Sequence, residues 1–399
     1  MTNDERRPGA EQANDCDLDT RLIHQFQEPD PATGAIVPPI HPSSTFVRKS
    51  MDDGAPYRYA RSGNPTRNQL EQILAGLEHG VAAAAFGSGM AAVSAVLQLL
   101  SGGDHAIVGY DCYLTTYDFF ANDLPRYGIS ADFVDLSDVE AVQEAVRPNT
   151  KMIWIETPTN PLLDIVDLQA IAKIGREAGA LTVVDNTFAS PYCQCPLDWG
   201  IDLVVHSTTK YLGGHSDVVG GAVISSTPEL AARIADRQYN LGAVPSPFDC
   251  WLLIRGIRTL GVRMRQQMAN AQAIAEWLSE QPKVTSVLYP GLPTHRGHRL
   301  AQRQMTGGFS GMVSFVVEGD APAALRLCEA TRVFMLATSL GGVESLIFPP
   351  TGWLLTAPEL MAQIPGSPWA QHPGLIRLSV GIESPRDLIA DLEQALKAV

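Results

Sequence analysis

The chain has 399 residues, of which 45% are apolar and 18% charged, so it can bury a large core, and its length favours two domains or one large domain with an appendage. Its formal net charge of −14, without any basic block, argues against nucleic acid and anionic membranes as partners. The longest apolar runs are too short to span a bilayer, the first residues lack the apolar segment of a signal peptide, and the six cysteines have no regular spacing, which together favour a cytoplasmic protein.

The first part of the chain does not have the pattern of a domain core. Residues 1–17 are polar and charged, which is typical of a loosely held tail. Residues 20–65 are rich in Pro, Ser and Arg and show no sustained periodicity. We therefore predict a tail and an extended arm over residues 1–65.

From residue 66 onward, short apolar runs alternate with amphipathic ones. In chain order, the predicted strands and the two clearest helices are AAAAF, the helix GMAAVSAVLQLL, HAIVGY, ADFVDL, KMIWIE, the helix DLQAIAKIGREAGA, LTVVD, IDLVVH and GAVISS. This alternation predicts an α/β fold with a mostly parallel sheet, in a large domain over residues 66–260.

A smaller C-terminal domain is predicted over residues 261–399. One long helix is expected to lead into it, over about residues 247–281. Beyond that helix, the runs GMVSFVVEG, FMLATSLGG and LIRLSVGIE are typical of strands, which indicates an α+β arrangement.

Polar side chains follow several predicted strands, at the carboxyl edge where open α/β sheets bind ligands. Asp185 ends LTVVD, and Lys210 comes four residues after LVVH. Glu156 ends KMIWIE, and Asn160 comes four residues later. A lysine between two core segments either reaches water or has a chemical task, so Lys210 is a candidate for catalysis.

A phosphate site is predicted beside this lysine. The Gly-rich turn FGSGMAA opens a helix, so the backbone N–H groups of Gly89 and Met90 can bind phosphate, and the hydroxyls of Ser207 and Thr209 can assist. A phosphate cup, a lysine and an isolated carboxylate are the parts of a pyridoxal phosphate (PLP) site. The motifs of P-loop NTPases, HExxH metalloproteases and GxSxG hydrolases are absent, and the single CxC pair lacks a second cluster, so no metal is predicted.

Longer motifs extend from about residue 20 to the end of the chain. They are YARSGNPTRN, ETPTNP, VVDNTF, HSTTKYLGGHSDVVGG, LGAVPSPFD, SLGGVESL and IRLSVGIE. In this order they resemble the Cys/Met-metabolism family of PLP enzymes, which includes cystathionine γ-synthase, γ-lyase and β-lyase and methionine γ-lyase. The resemblance implies the PLP-dependent transferase fold of type I and a homotetramer built from two active dimers.

The resemblance also implies a role for each residue at the cofactor ring. Lys210 would bind PLP covalently and act as the general base. Asp185 would keep the pyridine nitrogen protonated, and Asn160 would bond the ring hydroxyl. Tyr113, in DCYLTTYDFF, would stack on the ring, because an aromatic face fits a flat cofactor.

Further residues are implied at the phosphate and at the substrate. Tyr59 and Arg61, in the arm, would reach the phosphate site of a neighbouring subunit, so that each active site needs two chains. Arg377 would bind the substrate carboxylate in a bidentate manner, and Ser339 and Glu344 of SLGGVESL would also contact the substrate. The implied phosphate contacts are Gly89, Met90, Ser207 and Thr209.

The sequence departs from the family pattern at positions near the distal end of the substrate. Many γ-synthases and γ-lyases have arginine where this chain has Asp118, and many γ-synthases have a second arginine where it has Ser62. The cysteine of methionine γ-lyases is Leu114 here, and the usual MTH segment is replaced by IFPPTGWLLTAPELM at residues 347–361. An aspartate in place of arginine favours a cationic distal group over an anionic one.

Three kinds of function follow from these observations. The first is a PLP-dependent lyase that eliminates the γ-substituent of cystathionine or of a similar amino acid with a cationic or guanidino tail such as canavanine. The alternatives are γ-replacement on an activated homoserine, as in a cystathionine γ-synthase, and β-elimination, as in a cystathionine β-lyase. A PLP-fold protein without turnover would be favoured by loss of Lys210 or Asp185, and both are present.

Overall fold

A computed structural model of the chain describes residues 16–352 and 371–399. These residues belong to two compact units. The first unit combines the residues up to Leu99 with Asp202–Gly261, and the second combines Leu100–Ile201 with the residues from Val262 onward. None of the helices in the described ranges has the length and apolar character needed to cross a membrane.

Strands and helices alternate along most of the described chain, as predicted. The strands, numbered in chain order, are β1 (Ala82–Phe86), β2 (His105–Gly109), β3 (Ser130–Val134), β4 (Thr150–Glu156), β5 (Leu181–Asp185), β6 (Leu203–His206), β7 (Gly221–Ser225), β8 (Val284–Leu288), β9 (Met312–Val317), β10 (Met335–Leu336), β11 (Leu346–Phe348) and β12 (Leu375–Ser379). The α-helices are Leu18–His24, Pro65–Leu77, Gly89–Leu97, Leu114–Asp118, Val139–Glu144, Leu168–Ala178, Ser190–Cys193, Pro228–Leu241, Pro247–Ile257, Leu260–Ser279, His298–Gln304, Ala321–Ala330 and Pro385–Ala395.

Side-chain caps explain where several of these helices begin. The Asn64 side chain accepts hydrogen bonds from the backbone N–H groups of Thr66 and Arg67, and Pro65 occupies the first helical position. The Ser88 hydroxyl accepts from the N–H of Ala91 over 3.1 Å. Such caps satisfy N–H groups that have no partner within the helix. The sequence therefore fixes the start of the helix that follows β1.

The strands of the first unit pair in antiparallel fashion. β7 lies between β1 and β6, with Phe86 opposite Gly221 and His206 opposite Ala222. β6 and β7 are buried along their whole length, which accounts for their continuous apolar sequences. This pairing brings the end of β1, the end of β6 and the start of β7 to the same edge.

The second unit contains four parallel strands in the order β5, β4, β2, β3. Helix Leu168–Ala178 connects β4 to β5, and its apolar face packs on the sheet in a core that includes Ile153, Ile155 and Val184. Glu156 and Asp185 are register partners at the carboxyl ends of β4 and β5. Neighbouring residues in parallel register point to the same face, so these two carboxyl groups are side by side.

A second sheet of the same unit has five strands in the order β10, β11, β12, β9, β8. Arg377 lies in the centre of β12, opposite Ser314 of β9 and Phe348 of β11. Helices Leu260–Ser279, Ala321–Ala330 and Pro385–Ala395 supply apolar side chains to its core. The α+β character predicted for the C-terminal part of the chain is therefore present.

Two details differ from the prediction. The single helix expected over residues 247–281 is two helices, because the Thr259 N–H donates to the carbonyl three residues back, at Gly256, over 3.1 Å, and the Thr259 hydroxyl donates to the same carbonyl over 3.0 Å. The FMLATSLGG run forms only the two-residue β10, since the backbone turns away at Ser339 (φ 81°) and Gly341 (φ 79°). The division into an arm and two domains, over 1–65, 66–260 and 261–399, stays a prediction.

Candidate functional site

The predicted phosphate cup lies in the first unit, where β1 turns into helix Gly89–Leu97. Gly89 and Met90 form the first turn of that helix, after the Ser88 cap. A Cβ on Gly89 would lie 2.9 Å from Ser207 Cβ, and a Cβ on Gly221 would lie 2.1 Å from the Ser88 carbonyl oxygen. The two glycines are therefore required by close packing, and they bring the helix N-terminus beside Ser207.

Lys210 lies in a tight turn that follows the buried strand β6. Its backbone N–H donates to the Ser207 carbonyl over 3.2 Å, and its carbonyl accepts from Gly214 over 2.7 Å. Thr209 fixes the same turn to the start of β7, because its hydroxyl accepts from the Gly220 N–H over 3.0 Å. The Lys210 side chain is half-buried. The structure thus places Lys210, Ser207, Thr209 and Gly89 together, as the sequence predicted.

A buried contact between a histidine and a glutamate precedes this turn. His206 Nε2 lies 2.5 Å from Glu78 Oε1, and each side chain is only 1% exposed. Neither residue has a role predicted from the sequence, since a single histidine at a strand end carries no pattern of its own. The pair anchors the end of β6 directly before Ser207.

The arm residues Tyr59 and Arg61 form an aromatic–cationic cluster within the first unit. The Arg61 guanidinium lies 4.2 Å from the centre of the Tyr239 ring and 5.7 Å from that of Tyr59, and Nη1 donates to the Tyr239 carbonyl over 2.9 Å. Ser62, at the position of the second arginine of many γ-synthases, donates its hydroxyl to the Tyr59 carbonyl over 2.7 Å. The predicted reach of Tyr59 and Arg61 into a neighbouring subunit stays a prediction.

The second unit holds the residues implied at the ring and the substrate carboxylate. Asp185 ends β5, and its Oδ1 accepts from the Thr187 N–H over 3.0 Å. Arg377 donates from Nη1 to Asn160 Oδ1 over 2.9 Å and from Nη2 to the Ser339 carbonyl over 3.0 Å. The structure thus brings Arg377, Asn160 and Ser339 together, as an orienting network that the sequence motifs alone do not show.

Tyr113 precedes the short helix Leu114–Asp118, and its side chain is 45% exposed. Its backbone N–H donates to Glu156 Oε2 over 2.8 Å. Burial, and then the neighbouring charge of Asp185, raises the pKa of Glu156 well above its usual value. Glu156 was predicted only to end a strand and had no predicted role. The sequence feature that could have pointed to Glu156 is its position at the end of the predicted strand next to that of Asp185.

Two acidic residues predicted to contact the substrate are partly exposed: Asp118, predicted at its distal end, and Glu344. Asp118 and Glu344 are half-buried, and Asp118 Oδ1 accepts from the Asn122 side chain over 2.7 Å. Leu114, at the position of the methionine γ-lyase cysteine, lies in the same short helix as Asp118. In the divergent segment 347–361, β11 ends at Phe348 and a 3₁₀ turn covers Pro350–Gly352, while residues 353–361 lie outside the described ranges.

Comparison with known proteins gives consistent matches over nearly the whole chain. The sequence profile of the family described as Cys/Met metabolism PLP-dependent enzyme matches residues 19–397. A cystathionine gamma-synthase from Mycobacterium tuberculosis is 50% identical over 379 residues, which cover 94% of this chain and 96% of the relative. A cystathionine beta-lyase from Coxiella burnetii is 46% identical over 381 residues, which cover 95% of this chain and 97% of the relative.

Two solved structures have the same fold at high similarity. The crystal structure of metB from Corynebacterium glutamicum has a TM-score of 0.92 and 44% identity, covering 96% of this chain and 99% of that one. The crystal structure of cystathionine gamma-lyase from Lactobacillus plantarum complexed with L-serine has a TM-score of 0.90 and 43% identity, with the same coverage of 96% and 99%. The predicted fold class is thereby confirmed.

Proposed function

Because the chain belongs to the Cys/Met metabolism family of PLP-dependent enzymes, we propose that it acts on cystathionine, or on a close analogue, by cleaving the bond between Cγ and sulfur. The observation that supports cleavage is the charge of the residues predicted at the distal end of the substrate. Asp118 supplies an acidic group there in place of an arginine, and Ser62 replaces a second arginine. The distal ammonium group of cystathionine suits such a surface better than a succinyl or phosphoryl group does.

The residues of each unit fit PLP on structural grounds. In the first unit, Gly89 and Gly221 form a glycine cradle: a Cβ at either position would collide with its neighbours, so the glycines let the start of helix Gly89–Leu97 pack beside Ser207, and the N–H groups of this helix start suit a phosphate. In the second unit, Asp185, the register partner of Glu156, would provide the carboxylate that accepts a hydrogen bond from a protonated ring nitrogen. Bound PLP supplies an electron sink for the negative charge that develops when a proton leaves Cα of the amino acid.

We assign the remaining steps to side chains of this chain. Lys210 holds the cofactor and carries the proton away from Cα of the substrate. Arg377, oriented by Asn160 and the Ser339 carbonyl, binds the substrate carboxylate as a planar fork and fixes which Cα bond is broken. Tyr113 would stack on the face of the cofactor ring, and its aromatic ring would limit the access of water there.

The phosphate contacts proposed from the sequence are Gly89, Met90, Ser207 and Thr209, with Tyr59 and Arg61 from a neighbouring subunit. We infer a cytoplasmic homotetramer of two active dimers. The arm supports a multichain assembly, because Val47 and Met51 are 97% and 89% exposed although both are apolar. Mixing a Lys210→Ala variant with an Arg61→Ala variant tests the shared site: regained activity supports two-chain sites, and no regain contradicts them.

A second candidate is γ-replacement, in which a thiol displaces the γ-substituent of an activated homoserine. The relatives at 50% identity, which are named cystathionine gamma-synthase, favour this direction. Relatives named cystathionine beta-lyase are 46% identical, so β-cleavage is a third reaction to be tested. All three reactions need the same cofactor and the same lysine, so products rather than spectra separate them.

The deciding experiment incubates the PLP-loaded protein separately with cystathionine, O-succinylhomoserine, O-acetylhomoserine, methionine and canavanine, each with and without cysteine, and identifies products by mass spectrometry. γ-Cleavage of cystathionine gives 2-oxobutanoate, ammonia and cysteine, whereas β-cleavage gives pyruvate, ammonia and homocysteine. A new thioether formed only with cysteine indicates replacement. Lys210→Ala is the inactive control. Absence of 2-oxobutanoate from cystathionine would overturn the proposed direction.

A further inference from the structure

Two carboxyl groups of the second unit, those of Asp111 and Glu156, link the loop after β2 to the loop after β4. Asp111 follows β2, and its Oδ2 accepts from the backbone N–H of Leu162, in the loop after β4, over 3.3 Å. Glu156 ends β4, and its Oε2 accepts from the backbone N–H of Tyr113, in the loop after β2, over 2.8 Å. Because the two contacts run in opposite directions between neighbouring strands, they tie the two loops together.

These loops carry the two residues proposed to contact the faces and edge of the cofactor ring. Tyr113 comes two residues after Asp111, and Asn160 comes two residues before Leu162. A shift of either loop would therefore change the position of one ring contact relative to the other. Small displacements of this kind reduce catalysis strongly, because the reacting bond must be held in a narrow range of orientations.

Both carboxyl groups are almost completely removed from water. Asp111 and Glu156 are each 4% exposed, and both line one small cavity together with Thr159. Asp111 Oδ1 is buried, and the donors near this carboxyl group within the described residues are the Leu162 N–H and the Thr159 hydroxyl. A buried carboxylate with so few donors costs free energy in its ionised form, so this environment favours the protonated acid.

The acidic groups around Asp111 and Glu156 also favour their protonated forms. Asp185, Asp111 and the Cys112 thiol face Glu156, and Arg377 is the cation that acts on it. The groups facing Asp111 include Asp164 and Asp135. The nearby cation Arg296 forms a bidentate contact with Asp164. Burial raises the pKa of Asp111 to about 7 and that of Glu156 well above its usual value.

We propose that Asp111 and Glu156 form a carboxyl clasp, a pair of positioning residues that fix Tyr113 and Asn160 relative to each other at the cofactor ring. In the folded protein the two carboxyl groups retain at least one proton between them. The inference rests on the ring contacts proposed for Tyr113 and Asn160. A proton on Glu156 also removes a like charge beside Asp185, its register partner, and so leaves Asp185 as the anion for the ring nitrogen.

The retained proton is tested on the protein without cofactor or substrate. Infrared difference spectra at pH 6 should show a protonated carboxyl band in the wild type that is reduced in Glu156→Gln or Asp111→Asn. Glu140→Gln, at an exposed position of helix Val139–Glu144, is the matched control and should leave the band unchanged. Identical spectra for the wild type and both clasp variants would overturn the proton assignment.

The positioning role is tested by restoring only the hydrogen-bond acceptor. Glu156→Gln keeps a neutral acceptor for Tyr113, and Glu156→Ala removes it. We expect kcat to fall about tenfold to a hundredfold in Glu156→Ala, with KM nearly unchanged, and to return to within about threefold of wild type in Glu156→Gln. The visible circular dichroism of bound PLP, which reports ring orientation, should follow the same order. Equal impairment of both variants would contradict positioning.

The results of these two tests do not depend on whether the proposed substrate is correct. If cystathionine proves not to be the substrate, the infrared bands and the circular dichroism of bound PLP still report on Asp111 and Glu156. If Glu156→Ala does not fold, Asp111→Asn provides the second variant: retained circular dichroism of bound PLP with Asn, but not with Asp111→Ala, supports the clasp, and equal loss in both contradicts it.

Discussion

Arg377 and Asn160 form one hydrogen-bonded unit, with Nη1 of the arginine 2.9 Å from Oδ1 of the amide. The residue proposed to bind the substrate carboxylate is thereby oriented by the residue proposed to bond the cofactor ring. Arg377 is buried to 9% exposure within β12, so few alternative positions are open to its guanidinium. Substrate and cofactor contacts are therefore mechanically linked at this point.

Replacing Asn160 should weaken substrate binding through this link. In Asn160→Ala, Arg377 keeps its bond to the Ser339 carbonyl but loses one charge-assisted hydrogen bond, so we expect KM for the amino-acid substrate to rise about tenfold. Arg377→Lys should raise KM further, because lysine cannot form the fork. Asn149→Ala, at a surface contact with the Gly103 carbonyl, is the control. An unchanged KM in Asn160→Ala would exclude the orienting role.

The proposed role of Asp118 predicts the charge of the preferred substrate. We expect the wild type to favour cystathionine over O-succinylhomoserine in kcat/KM by about tenfold to a hundredfold, and Asp118→Arg to narrow or invert that ratio while the PLP spectrum stays the same. Asp123→Arg, five residues further on and also partly exposed, controls for a general change of surface charge. If the wild type prefers the succinyl ester, γ-replacement becomes the first candidate.

The pKa of Asp111 predicts a pH-dependent stability. This carboxyl has a pKa of about 7 in the folded protein against 3.8 in its ordinary state, so the folded state binds more protons than the unfolded state between these values. Its contribution to the free energy of unfolding therefore falls as the pH rises from about 4 to about 7, and is constant above. Asp111→Asn removes this loss.

The measurement is the difference in thermal midpoint between Asp111→Asn and wild type, taken from pH 5 to pH 8. We expect the difference to shift in favour of the variant as the pH rises and to level off above pH 7. Asp138→Asn, at an exposed helix cap, should give a difference with no such trend, because its carboxyl is not buried. A pH-independent difference for Asp111→Asn would contradict the assigned pKa.

A substitution at Gly221 tests the glycine cradle proposed to bind the phosphate. A Cβ there would lie 2.1 Å from the Ser88 carbonyl oxygen, so Gly221→Ala should displace the turn that begins helix Gly89–Leu97 and weaken PLP binding by tenfold or more. Gly87→Ala is the matched control in the same turn, since its Cβ would come no closer than 3.7 Å to another atom. The dissociation constant of PLP from each reconstituted variant is the readout. Equal affinities would show that the cradle tolerates the change.

The elements that the sequence predicted well are those in which one physical rule dominates. β4 and β6 are continuous apolar runs and were found with nearly correct bounds, and the polar residues after them led to Asn160 and Lys210. The break at Thr259 was missed, because a side chain competing for a carbonyl leaves the apolar periodicity intact. The contacts of Glu156 and Asp111 were also missed, since they join loops that are far apart in sequence.

The antiparallel position of β7 has a consequence for the order of events during synthesis. β1 is made early, but its hydrogen-bonding partner is β7, which leaves the ribosome much later, after all of β2 to β6. Until Gly221 has been added, the nascent chain cannot pack the Ser88 carbonyl in its final place. A ribosome-bound intermediate that ends before β7 should therefore expose β1 as an unpaired apolar edge, in need of protection by chaperones, and should be unable to capture PLP.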